Sequence, residues 1–586
     1  MKVTLIEPKS PGKHVFSTVN MPRLGLLILG TLLQESGHQV RLIMGSSRDI
    51  HLSEIAGADL VCISTITSTA VEAYHLADIA REQGKTVIMG GAHVSFLPEE
   101  ALNHCDYVCR GEADTTFMPL INCIERGEPP VNIPGISYRR GGRVIHNPAC
   151  DRVDFKDVSV PDLSLLSGIK ISTYPVMTSR GCPYDCTFCC VTKMFGRRYR
   201  YRETATLLEE IKQYRGKKVF FADDNFAADA RRTKEFLREM IKLDIRPSWW
   251  CTQVRADAAR DDELLQLMYD SNCRMVFVGM ESVNPETLKG YNKKQDVDDI
   301  AYCVKRFHSF GIMVHGMFIF GADEDNLLTI DETVNFALRN NIDTVQFALL
   351  TPLPGTKTYR EFESAGRLLT RDWSLYDGHH VVFQPGQMSP LELQEAAIRA
   401  FKKFYSFRNI FKNLFVSGLP SVAYRALGFW LVRSWERENS WFYSFLRDLS
   451  GRNKQTVPGV KLSKSIERFT LRRLRYLCSE KLMQIEVSLE RGHYVINLKG
   501  LINDISLKET FKILSERIPR LYNYVTINIG EAYFSSEATI VAFVKKANEL
   551  SGKARGIKIK IAPGNKNLLL VLQKYNMTVP RFGIVG

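Results

Sequence analysis

Through the first 125 residues, short apolar runs alternate with stretches whose apolar residues recur every three or four positions. KVTLIEP, HQVRLIM, DLVCIST, KTVIMGG and DYVCRGE read as strands, with PRLGLLILGTLLQESG and AVEAYHLADIAREQG as helices among them. This alternation predicts a parallel, doubly wound, Rossmann-like sheet, on which ligands bind beyond the carboxyl ends of the strands. Small hydroxyl residues and glycines crowd those ends: Ser64, Thr65, Thr67, Ser68 and Thr69 after the third strand, Gly90, Gly91 and His93 after the fourth, Gly111 and Glu112 after the fifth. A crevice for a large ligand is expected there.

Residues 126–170 hold prolines, glycines and the hairpin-like GISYRRGGRVIH, and read as a linker packing between domains. A second series follows over 171–385. YPVMTS, KKVFFAD, PSWWCTQ, RMVFVGM, IMVHGMFIFG and TVQFALL are strand candidates, separated by helical patterns such as TATLLEEIKQY and DDELLQLMYD. Six such units predict a partial (β/α)6 barrel with its chemistry at the carboxyl ends of the strands. Residues 386–481 turn helical and basic. From 482 to 586, strands (LMQIEVSLE, HYVINLKG, YVTINIG, IKIKIAP) alternate with helices, which predicts a small separate α/β domain.

At 586 residues the chain is too long for one core. Hydrophobic content of 45% and charged content of 24% exclude disordered and collagen-like classes. The 13 cysteines are odd in number, and MKVTLIEP reads as a strand rather than a secretory signal, so a cytoplasmic setting is expected, where clustered cysteines hold metal rather than disulfides. No window reaches the ~18 uninterrupted apolar residues of a spanning helix. The net charge of +14 is uneven: residues 401–480 hold sixteen Lys or Arg against five Asp or Glu. Within that stretch, FKNLFVSGLPSVAYRALGFWLVRSWERENSWFYSFLRDL mixes aromatics with arginines, which suits either a membrane surface or a helical subdomain packed on the barrel.

One short segment concentrates the chemistry. Residues 179–190 read SRGCPYDCTFCC. Thiolates at such spacing bind zinc or iron-sulfur clusters. A structural zinc site ordinarily takes two separated pairs of ligands, and no second pair follows here, so zinc is the weaker fit. Cys182, Cys186 and Cys189 offer three thiolates from one loop, enough for three irons of a four-iron cluster with the fourth iron left open.

CPYDCTFC resembles the CxxxCxφC motif of the radical S-adenosylmethionine (SAM) enzymes, φ being Phe188. The resemblance implies that the open iron chelates the amine and carboxylate of SAM, and that an electron from the cluster cleaves SAM to a hydrogen-abstracting deoxyadenosyl radical. It also implies SAM contacts at the strand ends: Asp223, Asp224 and Asn225 of FADDNF for the amine, Arg255 with Asp257 of VRAD, Glu281 and Ser282 of GMES for the ribose, Gly316 and Gly321 of GMFIFG for the adenine, and Pro352 of TPLPGT. Cys190 reads as a buried small residue, and Asp185 and Thr187 as loop residues.

In the first domain no GxGxxG follows the opening strand, which leaves a dinucleotide site without its phosphate loop. MPRLGLL, STITS, GGAHVSF and RGEAD together resemble the cobalamin-binding domain that precedes the barrel in one branch of these enzymes. That resemblance implies cobalamin contacts at Ser64, Thr65, Thr67, Gly90, Gly91, His93 and Glu112. The DxHxxG motif that supplies an axial histidine elsewhere is absent; His14 lies in the corresponding loop, but PGKHVF does not match. Either cobalamin binds without that ligand or the domain has lost it. The family mechanism is methyl transfer from cobalamin to an unactivated carbon of a lipophilic or natural-product substrate. Cyclisation or carbon-carbon coupling without methyl transfer is the alternative within the family, and a non-catalytic metal-bound sensor or scaffold the alternative outside it.

RDWSLYDGHHVVF follows the barrel and offers Tyr376, His379 and His380, beside Trp373 and Asp377, either as proton or hydrogen donors at the mouth or as a structural lid. The basic aromatic stretch 401–480 favours a lipid substrate and peripheral contact with the inner face of a membrane over nucleic acid. Residues 482–586 resemble a STAS domain, the sulfate transporter and anti-sigma antagonist module, which implies a protein partner. Its phosphoacceptor position corresponds to FSSE, where Ser535 and Ser536 are present but the acid and glycine of the motif are not. An external electron donor completes the expected partners.

Overall fold

A computed structural model describes residues 1–9, 21–46, 50, 52–155, 158–166, 171–414, 418–440, 442–443 and 445–447, and beyond these four strands and residue 543. His14, Ser535, Ser536 and residues 448–482, which include the later part of the basic stretch, lie outside the described residues. The chain divides into two compact units, Met1–Arg437 and Glu438–Gly586.

The first unit opens with a seven-stranded sheet: β1 (Lys2–Pro8), β2 (Gln39–Gly45), β3 (Leu60–Ser64), β4 (Thr86–Gly90), β5 (Tyr107–Cys109), β6 (Ile136–Arg140) and β7 (Arg143–His146), in the order β2-β1-β3-β4-β5-β6-β7. β1 to β5 run parallel. Order reverses between β1 and β3, where such sheets open a crevice at their carboxyl ends. At that edge Gly91 has φ +98°, and any Cβ there would overlap the Thr65 carbonyl oxygen, so glycine is what lets the β4 turn lie against the end of β3.

The hairpin read as part of a linker is instead part of this sheet. β6 pairs antiparallel with β5, and β7 with β6, through a turn in which Gly141 and Gly142 both have positive φ. β5 is only three residues long and would leave an open edge; β6 covers it and sends Ile136 and Tyr138 into the core. Val153, Phe155, Val158, Leu165 and Leu166 join that core too, so residues 126–166 are structural throughout their described length.

The second sheet has six strands, parallel and in sequence order: β8 (Tyr174–Val176), then β11 (Lys218–Phe221), β12 (Trp249–Val254), β13 (Cys273–Glu281), β14 (Met313–Phe320) and β15 (Thr344–Leu349). Between β8 and β11, β9 (Ser179–Arg180) and β10 (Arg200–Tyr201) form a separate two-stranded ladder. Side chains alternate across these strands. One face buries Val219, Phe221, Trp250, Val276, Phe318 and Phe347 under the helices. The other is half-buried and mostly apolar, with Phe220, Phe277, Met317, Ile319 and Ala348 beside two amides, Gln253 and Gln346.

At the base of that face Phe277, His315 and Thr344 share one register row. The His315 ring lies 4.8 Å from the Phe277 ring, and its Nδ1 is 2.8 Å from Thr344 Oγ1.

The second unit contains β16 (Met483–Glu490), β17 (His493–Ile502), β18 (Val525–Phe534) and β19 (Ile557–Lys560), ordered β16-β17-β18-β19. The first pair is antiparallel and the other two are parallel. The helices read between them lie outside the described residues. Among the described residues, no helix is long and apolar enough to cross a membrane.

Burial holds the His315 imidazole neutral, down to about 4 against an ordinary 6.5. Unfolding therefore takes up a proton between those two values, and stability falls as pH drops through that window. His315→Gln is expected to flatten the stability curve between pH 6.5 and 4 in denaturant titrations; equal slopes for parent and variant would show that the folded imidazole charges freely.

Candidate active site

The cysteine loop leaves the first barrel strand through β9 and returns through β10, so the short ladder closes residues 181–199 at their base. Gly181 makes the turn possible: its φ is +86°, and a Cβ would strike the Arg198 carbonyl. Cys182, Cys186 and Cys189 are all half-buried. Burial raises all three thiols, and within each pair of neighbours the thiols lie within electrostatic reach of one another. Cys190, read as buried, is half-buried like the other three and precedes the helix Val191–Phe195.

Among the described residues, no three His, Cys, Asp or Glu side chains converge on a point where a single ion would sit. Tetrahedral zinc would draw its sulfurs to about 3.8 Å of one another, given Zn–S bonds of about 2.3 Å. Soft thiols spread along one glycine-hinged loop fit a larger polynuclear group better than they fit one zinc ion.

A second segment, Gly290–Lys294, clasps this loop from the far side. Thr187 N–H donates to the Tyr291 carbonyl at 3.2 Å, Asn292 Nδ2 donates to the Asp185 carbonyl at 2.9 Å, and Phe188 meets Tyr291 edge-on at 5.0 Å. Thr187 and Asp185 are thus the loop's anchor points. Asn292 and Lys294 both take left-handed backbone, φ +53°. The same segment reaches the barrel strand ends: Lys293 Nζ lies 2.6 Å from Glu281 Oε1, and the Lys293 carbonyl accepts from Arg255 at 2.6 Å. Glu281 itself has φ +63° where the β13–β14 register shifts. Arg255 stacks on the Tyr184 ring at 3.6 Å, and the Tyr184 hydroxyl donates to Asp257 at 2.8 Å. Arg255 Nε is buried and makes no hydrogen bond, with only the Asp257 carboxylate 3.8 Å away, which leaves a donor suited to an incoming anionic group.

The two acids of FADDNF separate. Asp223 is fully buried and accepts from Thr178 Oγ1 at 2.8 Å, Thr178 N–H at 3.2 Å and Ser179 Oγ, so it braces the start of the cysteine loop. Asp224 is open to solvent, yet crowding by the surrounding protein, and secondly the neighbouring Asp223, push its carboxyl up to about 7. It lies within electrostatic reach of Cys182, Cys189 and Cys190. Asn225 is buried beside it.

Several residues expected to contact SAM or to line the mouth also serve as packing positions. Gly316 lies within β14 rather than at its end, where a Cβ would press on Met280, Phe318 and Ile342. Gly321 (φ +105°) turns the chain against Leu393 and Phe383, and its amide goes to Asp325. Ser282 Oγ caps the Asn284 amide, and Pro352 is buried. Tyr376 is buried with its hydroxyl on the Thr370 carbonyl at 2.6 Å, and His380 pairs with the buried Asp377 at 3.0 Å. His379 Nδ1 lies 3.0 Å from the Asp377 carbonyl oxygen. All three side chains thus contact their own segment. Its Trp373 reaches the first domain, donating to Glu100 at 2.8 Å and lying 5.0 Å from the His93 ring.

On the first domain Thr65 is spent on the Gly90 carbonyl, while buried His93 lies between Thr67 and Glu100. Ser64, Gly90 and Gly91 stay half-open at the strand ends. Glu112 does not face the crevice: its carboxylate chelates Arg200 at 2.5 and 2.7 Å and accepts the Val153 amide at 3.2 Å. Arg180, 3.7 Å from Glu112, makes a bidentate pair with Asp114 at 2.7 and 3.0 Å. Arg180 and Arg200 flank the cysteine loop, so this buried cluster fixes the first domain against it.

Sequence comparison agrees with this two-part site. The radical SAM superfamily model matches residues 176–337, and the B12 binding domain model matches residues 17–121. An uncharacterised methyltransferase of Pyrococcus horikoshii is 31% identical over 432 residues, covering 69% of this chain and 92% of the relative. This chain belongs to the radical SAM enzymes with a B12-binding domain. Another member, bacteriochlorophyllide d C-12(1)-methyltransferase of Chlorobaculum tepidum, is 30% identical over 427 residues, with 70% of this chain and 89% of that one aligned. The fold is also that of the cobalamin-dependent SAM radical enzyme OxsB with aqua-cobalamin bound, at TM-score 0.55 and 16% identity, over 98% of this chain and 84% of that one. Membership brings a four-iron, four-sulfur cluster, SAM and cobalamin as cofactors.

Sequence reading passed over Lys293, Asn292, Tyr184, Asp114 and Arg180. Only RGEAD, SRGC and YNKK, as clusters of charge beside glycine or a turn, hinted at them. Within this radical SAM enzyme, Glu112→Gln would leave Arg200 buried without its counter-charge, which costs about 3–5 kcal/mol. The variant is expected to melt several degrees lower without cofactors and to be cut faster by protease between residues 112 and 200; an unchanged melt would show that the cluster is not a clamp.

Proposed function

We propose that this enzyme methylates an unactivated carbon of a lipophilic acceptor, with Cys182, Cys186 and Cys189 holding the cluster. The observation that carries this reading is the joint: one loop bears three soft thiols, and buried ion pairs hold it to the crevice end of a B12-binding sheet. When bound, the cluster supplies the electron that splits SAM, and cobalamin supplies the methyl group.

The chain's own part is positional. Arg255, with its unused Nε–H, and solvent-open Asp224 are suited to the carboxylate and amine of SAM. Glu281, held by Lys293, is suited to its ribose. Ser64, Gly90 and Gly91 leave space at the crevice for a corrin ring. A lipophilic acceptor is supported by the apolar inner face of the barrel, with Gln253 and Gln346 available to orient a polar substituent. The relatives at about 30% identity are named as methyltransferases, while two at 24% are named as cyclases, which favours methyl transfer over cyclisation. An external reductant, work at a membrane surface, and a protein partner for the second unit complete the reading.

Anaerobically reconstituted protein is expected to bind iron, cobalamin and SAM and to release deoxyadenosine under strong reductant. Cys186→Ala should lose the cluster's visible absorption and at least a hundredfold in deoxyadenosine formation. Retention of both would refute the ligand set, and absence of deoxyadenosine from the parent would favour a sensor or scaffold. Label from methyl-labelled SAM separates methylation from cyclisation: it enters the product only in the first.

A further inference from the structure

Two helices beyond the barrel, Phe407–Leu414 and Gly418–Glu438, present large apolar side chains to water. Phe407 is 72% exposed, Phe411 67%, Trp430 53%, Leu427 46% and Tyr424 39%. Tyr424, Leu427 and Trp430 recur at three-residue steps and so share one side of the longer helix. Phe407 packs on Phe429 at 4.2 Å between ring centroids, which brings the shorter helix alongside. Basic groups rim the patch: Arg433 lies over the Phe429 ring at 3.4 Å, and Arg408 and Arg437 are exposed.

The patch is rigidly mounted. Arg425, 2% exposed, donates from beneath the helix to the carbonyls of Ile342 at 2.6 Å and Asp343 at 2.8 Å. The Tyr405 hydroxyl bridges the N–H and C=O of Val345 at 2.9 and 2.7 Å, and Lys402 pairs with Glu436 at 2.6 Å. An aromatic surface held this firmly toward solvent and edged with arginine is the signature of an interaction site rather than of incidental exposure.

Charge selects the occupant. Residues 401–437 carry seven basic side chains against one acidic one, and such an excess is drawn to anionic headgroups. A nucleic acid would meet the charges at the centre of the contact; here the centre is apolar and the charges sit at the edge, the arrangement of helices lying in a bilayer interface. We infer that the face formed by Phe407, Phe411, Tyr424, Leu427 and Trp430 seats on an anionic lipid bilayer. Its mounting points, Ile342 to Val345, are at the amino-terminal end of β15, whereas the cysteine loop lies at the carboxyl ends of the strands. The face is therefore an anchor that keeps the enzyme at the membrane, and not the mouth through which an acceptor enters.

The test is flotation of the full-length chain with vesicles of equal phosphatidylglycerol and phosphatidylcholine, beside vesicles of phosphatidylcholine alone. Parent protein is expected to float with the anionic vesicles and at least tenfold less with the neutral ones. Leu427→Ser/Trp430→Ser, whose side chains point to water, should keep the parent melting temperature and lose at least tenfold in flotation. Failure of the parent to float would overturn the proposal, whether a second copy of the chain or the closing domain covers the face. Equal flotation of parent and variant would overturn it too, by assigning the binding to the basic residues after 447. Deoxyadenosine formation, measured in the same preparations without vesicles, reports on the catalytic reading separately, so the two can fail independently.

Discussion

Two α/β sheets meet in this enzyme over a small set of buried charges. Glu112 and Asp114 leave the end of β5; Arg180 and Arg200 stand before and after the cysteine loop, and every side chain of the set is 12% exposed or less. Burying ions is costly, and apolar contacts of the same volume would often stabilise as much. Ion pairs contribute direction instead. Bidentate guanidinium-carboxylate geometry admits one orientation, and here that orientation sets the thiol loop of one domain against the crevice end of the other. The proposed methyl transfer, which uses both cofactor sites, would depend on that separation being fixed.

Backbone strain gathers at the same place. Gly181 and Gly196 turn the cysteine loop, and Glu281, Asn292 and Lys294 adopt left-handed conformations around it. For a side-chain-bearing residue each such conformation costs on the order of 1 kcal/mol. Each is held by contacts: Glu281 by Lys293, Asn292 by the Asp185 carbonyl, and the Lys294 region by Arg255. The segment Gly290–Lys294 spends its backbone and side chains on two neighbours at once, the thiol loop and the end of β13. It works as a spacer of defined length between them.

The sheets and the thiol loop were legible because they rest on local pattern. Strands alternate, helices repeat, and three cysteines on one loop limit the chemistry. What escaped was long-range or two-valued. Nothing near Glu112 in sequence announces Arg200, 88 residues on, so a strand-end acid passed for a cofactor contact when it was a clamp. FADDNF offers adjacent acids, and only the fold decides that Asp223 points inward to Thr178 while Asp224 stays open. GISYRRGGRVIH declared a hairpin but not the edge it would cover, since β5 is too short to advertise its need for a partner. Gly316 sits inside a motif-like run, yet its reason for being glycine is the crowding of Met280, Phe318 and Ile342.

The site also leaves a donor without a hydrogen bond, as several arginines elsewhere in the chain do. Arg255 is 6% exposed, its Nη2 serves the Lys293 carbonyl, and its plane rests on Tyr184, yet Nε–H makes no hydrogen bond and has only the Asp257 carboxylate 3.8 Å away. A buried donor without a partner costs about 1–3 kcal/mol. Arg255 is thus held by its contacts to Lys293 and to Tyr184 of the thiol loop, with a donor left for an arriving carboxylate.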